Sequence, residues 1–460
     1  MSITSTVEYF YSLLSHPDTF DIARKQPNYF TRESKLGLPG LLKFMFSRNG
    51  HTVSNEINHY FSGFDALDKS VSKQAIFQAQ EKLSYKVFPY LNHRLCQYYY
   101  DYNEYDTIKG YTVVAIDGST GEAPHTPECI EQFGDKGLHK CRQRRTNPRI
   151  SGFYDVCNSI YIDLSIRSYR KAELPMAYEQ MDDVHQILCK HKRLFLADRN
   201  YDASDLFFYF KMNNDFYCFR GKSNFYKKQV DLIEKDGWIE IEFDDKWIER
   251  FKIDEVKEYA REHRKLKIRV IKYKKSEIKK LKENEEEDEE IILFTNLSND
   301  EWSRKEIIVL YGHRWIEETG YDTLKNKLEM ERITSEKPEL ILQEMHSQVI
   351  VHNLAAMIKK ESDKIVVHTS KYKYQTNINN LIQLLRTNLP KLLNQRQKIK
   401  KLLGKIIKKA AKNKEPVRPN RLYPRWGVYI KLPSPLKFRV DGKRNPTIRK
   451  VKKGFLRVKS

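Results

Sequence analysis

The chain has 460 residues, 83 Lys and Arg against 61 Asp and Glu, and a formal net charge of +22. Hydrophobic residues at 40% and aromatics at 12% suffice for a large core, which excludes a disordered chain. No run approaches the roughly 18 apolar residues of a membrane span, and the first twenty residues lack a signal pattern, so a soluble, cytoplasmic protein of about three domains is expected. The six cysteines (Cys96, Cys129, Cys141, Cys157, Cys189 and Cys218) form no CxxC pair. Ordinary reduced thiols, without zinc, are expected.

Residues 1–105 have helical patterning, punctuated at Pro27, Pro39–Gly40 and Gly63. Ser72–Phe88 reads as one helix with Ala75, Ile76, Ala79 and Leu83 on one side. This region reads equally as a small DNA-binding module or as a helical cap on the main domain. Strands follow at Tyr111–Ile116, running into Asp117-Gly118-Ser119, then at Ser151–Val156 and Ser159–Ile166 as a hairpin. Helical sequence covers Ala172–Lys190, and Arg193–Ala197 is a short buried strand ending at Asp198.

About a hundred residues with strand candidates come next: Asp215–Arg220, Trp238–Phe243, Lys267–Tyr273 and Ile291–Asn296. The acidic run Glu283–Glu290 within them reads as a solvated loop. From Ser303 to about Lys360 the sequence is helical, broken near Ser335–Pro338.

The last 70 residues, Lys391–Ser460, hold 24 Lys and Arg and only two acids, Glu415 and Asp441, so the whole charge excess lies there. Such a block binds polyanions, nucleic acid above all, with steep salt dependence. Within it Ile399, Leu402, Leu403, Ile406, Ile407 and Ala410 form one helical stripe among lysines. Packing of that stripe on the body or on a second subunit is expected, with a membrane surface as the competing reading. Pro416–Ser460 reads as an extended arm.

Chemistry concentrates in Tyr311, Arg314, Glu318 and Lys325. At about 100° per residue the four fall within an arc of about 60° on one helix face. An i, i+4 salt-bridge ladder of Arg314 and Glu318 is the alternative. Glu317 lies about 100° round the helix, outside this stripe. Asp117 and Asp198, each closing a strand, would combine with Glu318 into three carboxylates, a cluster that cations must neutralise. Oxygen-only donors suit Mg²⁺ or Mn²⁺, and two such ions serve phosphodiester chemistry.

The spacing Tyr311-x2-Arg314-x3-Glu318-x6-Lys325 resembles the Y-(2)-R-(3)-E-(6)-K signature of IS4-type insertion-sequence transposases. Asp117 in VVAIDGS and Asp198 in FLADRNYD look like the two catalytic aspartates of the same DDE family. The resemblance implies an α/β, RNase H-like catalytic domain with a mixed sheet, interrupted by a β-rich insertion. It assigns 106–214 and 301–365 to the catalytic domain and 215–300 to the insertion. A helical region, 1–105, and a basic region for DNA binding or dimerisation, 366–460, flank them.

The resemblance further implies that Asp117, Asp198 and Glu318 hold two Mg²⁺ or Mn²⁺ ions, and that Tyr311, Arg314 and Lys325 touch DNA near the scissile phosphate. Trp238, Trp247 and Trp302 are candidates for stacking on a flipped base, although each also reads as core packing. Asn200 and Tyr201 would shape the DRNYD turn, Asp202 would cap or steady the next helix, and His313 would lie on the helix surface. The implied function is cut-and-paste DNA transposition at terminal inverted repeats by a homodimer. An inactive DNA-binding descendant and a general RNase H-like nuclease are the alternatives.

Overall fold

The computed structural model describes residues 2–32, 34–138, 144–277, 290–369 and 372–417, and the pairs 439–440 and 443–444. The acidic run apart from Glu290 and most of the basic arm lie outside these residues, as does Cys141; the other five cysteines are free thiols.

One eight-stranded sheet organises the chain. Its strands are β1 (Tyr111–Thr120), β2 (Arg149–Asp155), β3 (Ile160–Arg167), β4 (Lys192–Ala197), β5 (Phe216–Arg220), β6 (Asp236–Glu242), β7 (Lys265–Lys274) and β8 (Glu290–Thr295). Their order is β3-β2-β1-β4-β5-β8-β7-β6. β1 pairs antiparallel with β2 and parallel with β4, and β4 pairs parallel with β5. This antiparallel hairpin beside parallel strands is an RNase H-like arrangement. The strands of the intervening region, β6 to β8, continue the same sheet beyond β5 through antiparallel pairs.

The centre of the sheet explains its sequence. Tyr111–Ile116 is buried throughout, as a strand covered on both faces must be, so it reads as a continuous apolar run. Two glycines show where the covering helices sit. A Cβ on Gly118 would meet the Glu173 carboxyl, and one on Gly152 would meet Glu317 Oε1 at 2.7 Å. Gly152 is the register partner of Asp117, so the two share a face, while Gly118 points to the other. The helices Glu173–Ile187 and Ile316–Asp322 therefore cover opposite faces of β1.

The N-terminal region is helical and docks through Val87–Tyr102 on β3. Asn92 Nδ2 donates to the carbonyls of Tyr161 and Ile162 (3.2 Å each), and Asn353 donates to Tyr161 O and accepts from Tyr161 N. These buried amides satisfy backbone groups that an edge strand would otherwise leave unpaired. The expected single helix Ser72–Phe88 is two elements. Lys73–Lys82 ends where Leu83 turns extended and bridges Arg24, and a new helix starts at Val87. Gln343 Nε2 captures the carbonyls of Gln80 (2.9 Å) and Leu83 (2.7 Å), satisfying the broken helix end.

The long helix Pro338–Asp363 is buried along most of its length. Against it pack the helices Ile378–Asn394 and Ile399–Lys412. Ile399, Leu403, Ile406 and Ala410 are buried there, and Ser362 Oγ donates to Ile407 O at 3.0 Å. The apolar stripe is consumed by the body and is not offered to a membrane, while Lys400, Lys401, Lys405, Lys408, Lys409 and Lys412 remain exposed. Among the described residues no helix is long and apolar enough to cross a membrane.

Candidate active site

Parallel pairing of β1 with β4 places Ile116 opposite Ala197, so Asp117 and Asp198 occupy the next position on neighbouring strands. Strands lie about 4.8 Å apart, which brings the two carboxylates within reach of one cation. Asp117 lies inside β1, and its Oδ1 accepts from the Gly118 N–H at 2.9 Å. Asp198 closes β4, and its carboxylate accepts from Asn200 N (2.8 Å) and Asn200 Nδ2 (3.3 Å), which fixes the turn. Burial pushes the Asp117 carboxyl up to about 6, against the opposing pull of Arg314.

The segment Arg304–Lys327 that carries Tyr311, Arg314 and Lys325 is not one regular helix. A capping box of Ser303 and Glu306 starts the helix Arg304–Gly312. A 3-10 turn follows at His313–Trp315, then α-helix at Ile316–Asp322 and a π turn at Thr323–Lys327. Three residues of 3-10 geometry turn about 360°, where an α-helix turns about 300°. Glu317 therefore comes into phase with Arg314, and Glu318 is carried outward. Glu317 is fully buried, whereas Glu318 is exposed. The segment is therefore not the regular helix that the spacing of Tyr311, Arg314, Glu318 and Lys325 implies: Glu317 packs against the sheet and Glu318 is exposed to solvent.

Arg314 is buried and its Nη1 lies 3.7 Å from Asp117 Oδ2. Its guanidinium also lies 4.5 Å from the ring centre of Trp315, an exposed tryptophan beside the site. Tyr311 is 5% exposed, and burial raises its hydroxyl to about 12. Lys325 Nζ donates to Ser119 Oγ and to Thr120 O (2.9 Å), so it grips the end of β1. The Tyr321 hydroxyl donates to Asp117 O at 2.8 Å and ties the helix to the same strand.

Other expectations resolve by burial. Trp302 is 1% exposed against Tyr111 and belongs to the core, which removes it as a stacking candidate. Trp238 donates Nε1 to Asn299 Oδ1 (2.8 Å) beneath Lys267, and Trp247 is 39% exposed beside Phe243. Asp202 does not cap a helix; it accepts from Lys222 N (2.8 Å) and Nζ (2.5 Å), tying the DRNYD turn to the end of β5. Tyr201 is buried, and His313 Nδ1 lies 3.0 Å from Val309 O on a half-exposed helix surface.

Sequence reasoning did not single out Gly152, Glu173 or Trp315. A cavity of about 600 Å³ lies nearby, lined by Thr319, Thr323, Lys327, Lys359 and Lys360, but none of Asp117, Asp198 and Glu317 lines it.

As the side chains stand, no three His, Cys, Asp or Glu among the described residues converge to enclose a metal. The donor chemistry nevertheless fits a hard cation. Asp117 and Asp198 offer carboxylate oxygens from equivalent positions of neighbouring strands.

A solved structure of piggyBac transposase, a synaptic complex with hairpin DNA, covers 88% of this chain and 85% of its own, at 10% identity and a TM-score of 0.43. No curated protein matches. The family model described as transposase DDE domain matches residues 108–354, more than half of the chain and the whole span from β1 through the Arg304–Lys327 segment. The chain belongs to the transposase DDE domain family.

Proposed function

We propose that this chain is a DNA transposase of the IS4 type that binds the terminal inverted repeats of its element and catalyses cleavage and strand transfer by cut-and-paste transposition. The observation that carries the reading is the pair Asp117 and Asp198 at equivalent positions of adjacent parallel strands, with the Arg314 guanidinium beside them. Two Mg²⁺ or Mn²⁺ ions held by these aspartates and a carboxylate of the helix Ile316–Asp322 would supply charge neutralisation for phosphoryl transfer and acidify the attacking hydroxyl.

The chain's own groups do the positioning. Arg314 offers a fixed donor fork for a phosphate next to the carboxylates. Lys325 and Tyr321 hold β1 and the helix in one frame, so Asp117 keeps its place relative to the helix. The exposed lysines of Ile399–Lys412 and the basic residues after them suit the DNA backbone. Pairing two element ends calls for two copies of the chain, so a homodimer on DNA belongs to the same reading.

The test uses purified protein and a duplex carrying the element's ends. Cleaved and joined products are followed with Mg²⁺, with EDTA and with Asp117→Ala. Metal-dependent joining that disappears in the variant is expected. Cleavage without joining would assign a nuclease instead, and full metal-dependent cleavage by Asp117→Ala would sink the assignment of the site.

A further inference from the structure

We propose that Gly404 marks the seat of a DNA phosphate on the helix Ile399–Lys412, a notch in which the sugar-phosphate backbone lies against the helix itself. The inference rests on the DNA-binding reading above and fixes one contact of it.

The first observation is steric. Glycine inside a helix is unfavourable relative to alanine, so a helical glycine calls for a reason. Other helical glycines of this chain find theirs inside the fold. A Cβ on Gly40 would meet Leu36 at 3.1 Å, one on Gly320 would meet Tyr154 at 2.8 Å, and Gly37 has a φ of +59°. Gly312 is the last residue of its helix. Gly404 lies well inside a helix of 14 residues, and a Cβ there would meet nothing within 4 Å. Among the described residues nothing needs the missing side chain, so its use lies with something that approaches from outside.

The second observation is charge. Lys400 and Lys401 precede Gly404 by four and three residues and Lys408 follows it by four, the positions that border it on the helix surface. All three are exposed, and none forms an ion pair among the described residues. Three ammonium groups around an open patch of helix attract an anion. They repel a second copy of the same face, and they repel the segment after Val417, in which Asp441 is the only acid. The occupant that fits is a polyanion whose charge lies on its backbone, as in DNA.

The third is rigidity. Ile399, Leu403, Ile406 and Ala410 are buried against the body, and Ser362 Oγ, on the helix Pro338–Asp363, donates to Ile407 O at 3.0 Å. The helix therefore stays formed despite its glycine. A phosphate contact on such a platform positions DNA without reading its bases.

The experiment measures binding of the full chain to a short duplex of random sequence in EDTA, by fluorescence anisotropy over a range of salt, for wild type, Gly404→Ala and Gly404→Gln. Both substitutions keep every charge. Melting temperature and mass in solution are read without DNA. Both variants are expected to melt at or above wild type, because each residue favours helix over glycine. Both should nevertheless bind DNA more weakly, Gly404→Gln by about tenfold, as for the loss of one charge-assisted contact. Its slope of log K against log salt should fall by about 0.9, one phosphate's share.

Wild-type affinity and slope in both variants would leave the lysines on the DNA but overturn the seat at Gly404. Melting below wild type in both variants would show the position packed by the chain itself and overturn it as well. A change of mass in the variants, with DNA affinity unaltered, would assign the notch to a second copy instead. No duplex binding by wild type removes the DNA-binding reading, and this proposal with it.

Discussion

Gly152→Ala is the substitution that probes the site most directly. The added Cβ would stand 2.7 Å from Glu317 Oε1, 2.9 Å from Tyr161 Cε1 and 2.9 Å from the Tyr321 hydroxyl. The helix is packed as tightly one turn on, where a Cβ on Gly320 would meet Tyr154 at 2.8 Å and the Tyr161 hydroxyl at 2.9 Å, so an added methyl has to lift the helix off these contacts. Glycine on both partners has removed the slack. Overpacking of this kind costs about 1–3 kcal/mol. Replacing a strand glycine by alanine returns about 0.5–1 kcal/mol through the unfolded chain. A net destabilisation of about 1–2 kcal/mol is expected, read as a lower urea midpoint in EDTA. Because the new methyl pushes on Glu317 and Tyr321 together, a displacement of about 1 Å at the carboxylates should slow DNA cleavage by about 10²-fold. Wild-type midpoint and wild-type cleavage in Gly152→Ala would refute the claim that the helix is locked onto the sheet at this glycine.

Three further outcomes follow from the same geometry. Burial raises the Asp117 carboxyl from 3.8 to about 6, so the folded chain binds that proton more tightly than the unfolded one. Its contribution, up to about 3 kcal/mol, is complete below about pH 4 and lost as pH rises through about 6. Asp155, raised to about 6 by burial, titrates in the same window, so the difference in urea stability between wild type and Asp117→Asn in EDTA is the quantity to measure, and a difference flat from pH 4 to 7 would contradict it.

Lys325→Met should lose about 1 kcal/mol of stability, because it releases the end of β1, and leave the salt dependence of DNA binding unchanged. A salt slope lower by about 0.9 would instead make Lys325 a phosphate contact. Replacing Lys401, Lys405 and Lys408 together by Gln should leave the melting temperature in place, since all three are exposed. The same triple variant should lower the slope of log K against log salt by up to about 2.7, and an unaltered slope would take this helix off the DNA.

Much of the site was legible because its signals are local. Asp117 and Asp198 each follow a short apolar run, and a strand buried on both faces has to be written that way. Tyr311, Arg314, Glu318 and Lys325 stand out as polar residues at helical spacing, and with the two aspartates they carry the family resemblance. The basic helix Ile399–Lys412 was equally readable from its stripe, which the body covers as its apolar pattern demands.

What sequence could not decide was phase. A periodicity argument assumes a constant turn per residue, and on that assumption Glu318 faces the site. The structure contains a 3-10 turn and a π turn whose cause is tertiary: Gly320 against Tyr154 and Tyr161, Tyr321 on Asp117 O, and Lys325 on the end of β1. These contacts fix where each residue must land on the sheet, and the backbone between them tightens and widens to meet them. The pairing of Asp117 with Gly152 is likewise set by strand register, 35 positions apart in sequence, which no local pattern records. The sequence by itself determined which residue types the site would use and on which elements. Only the packing of helix on sheet decided that the buried carboxylate is Glu317, because a side chain's direction depends on every turn between it and its anchors.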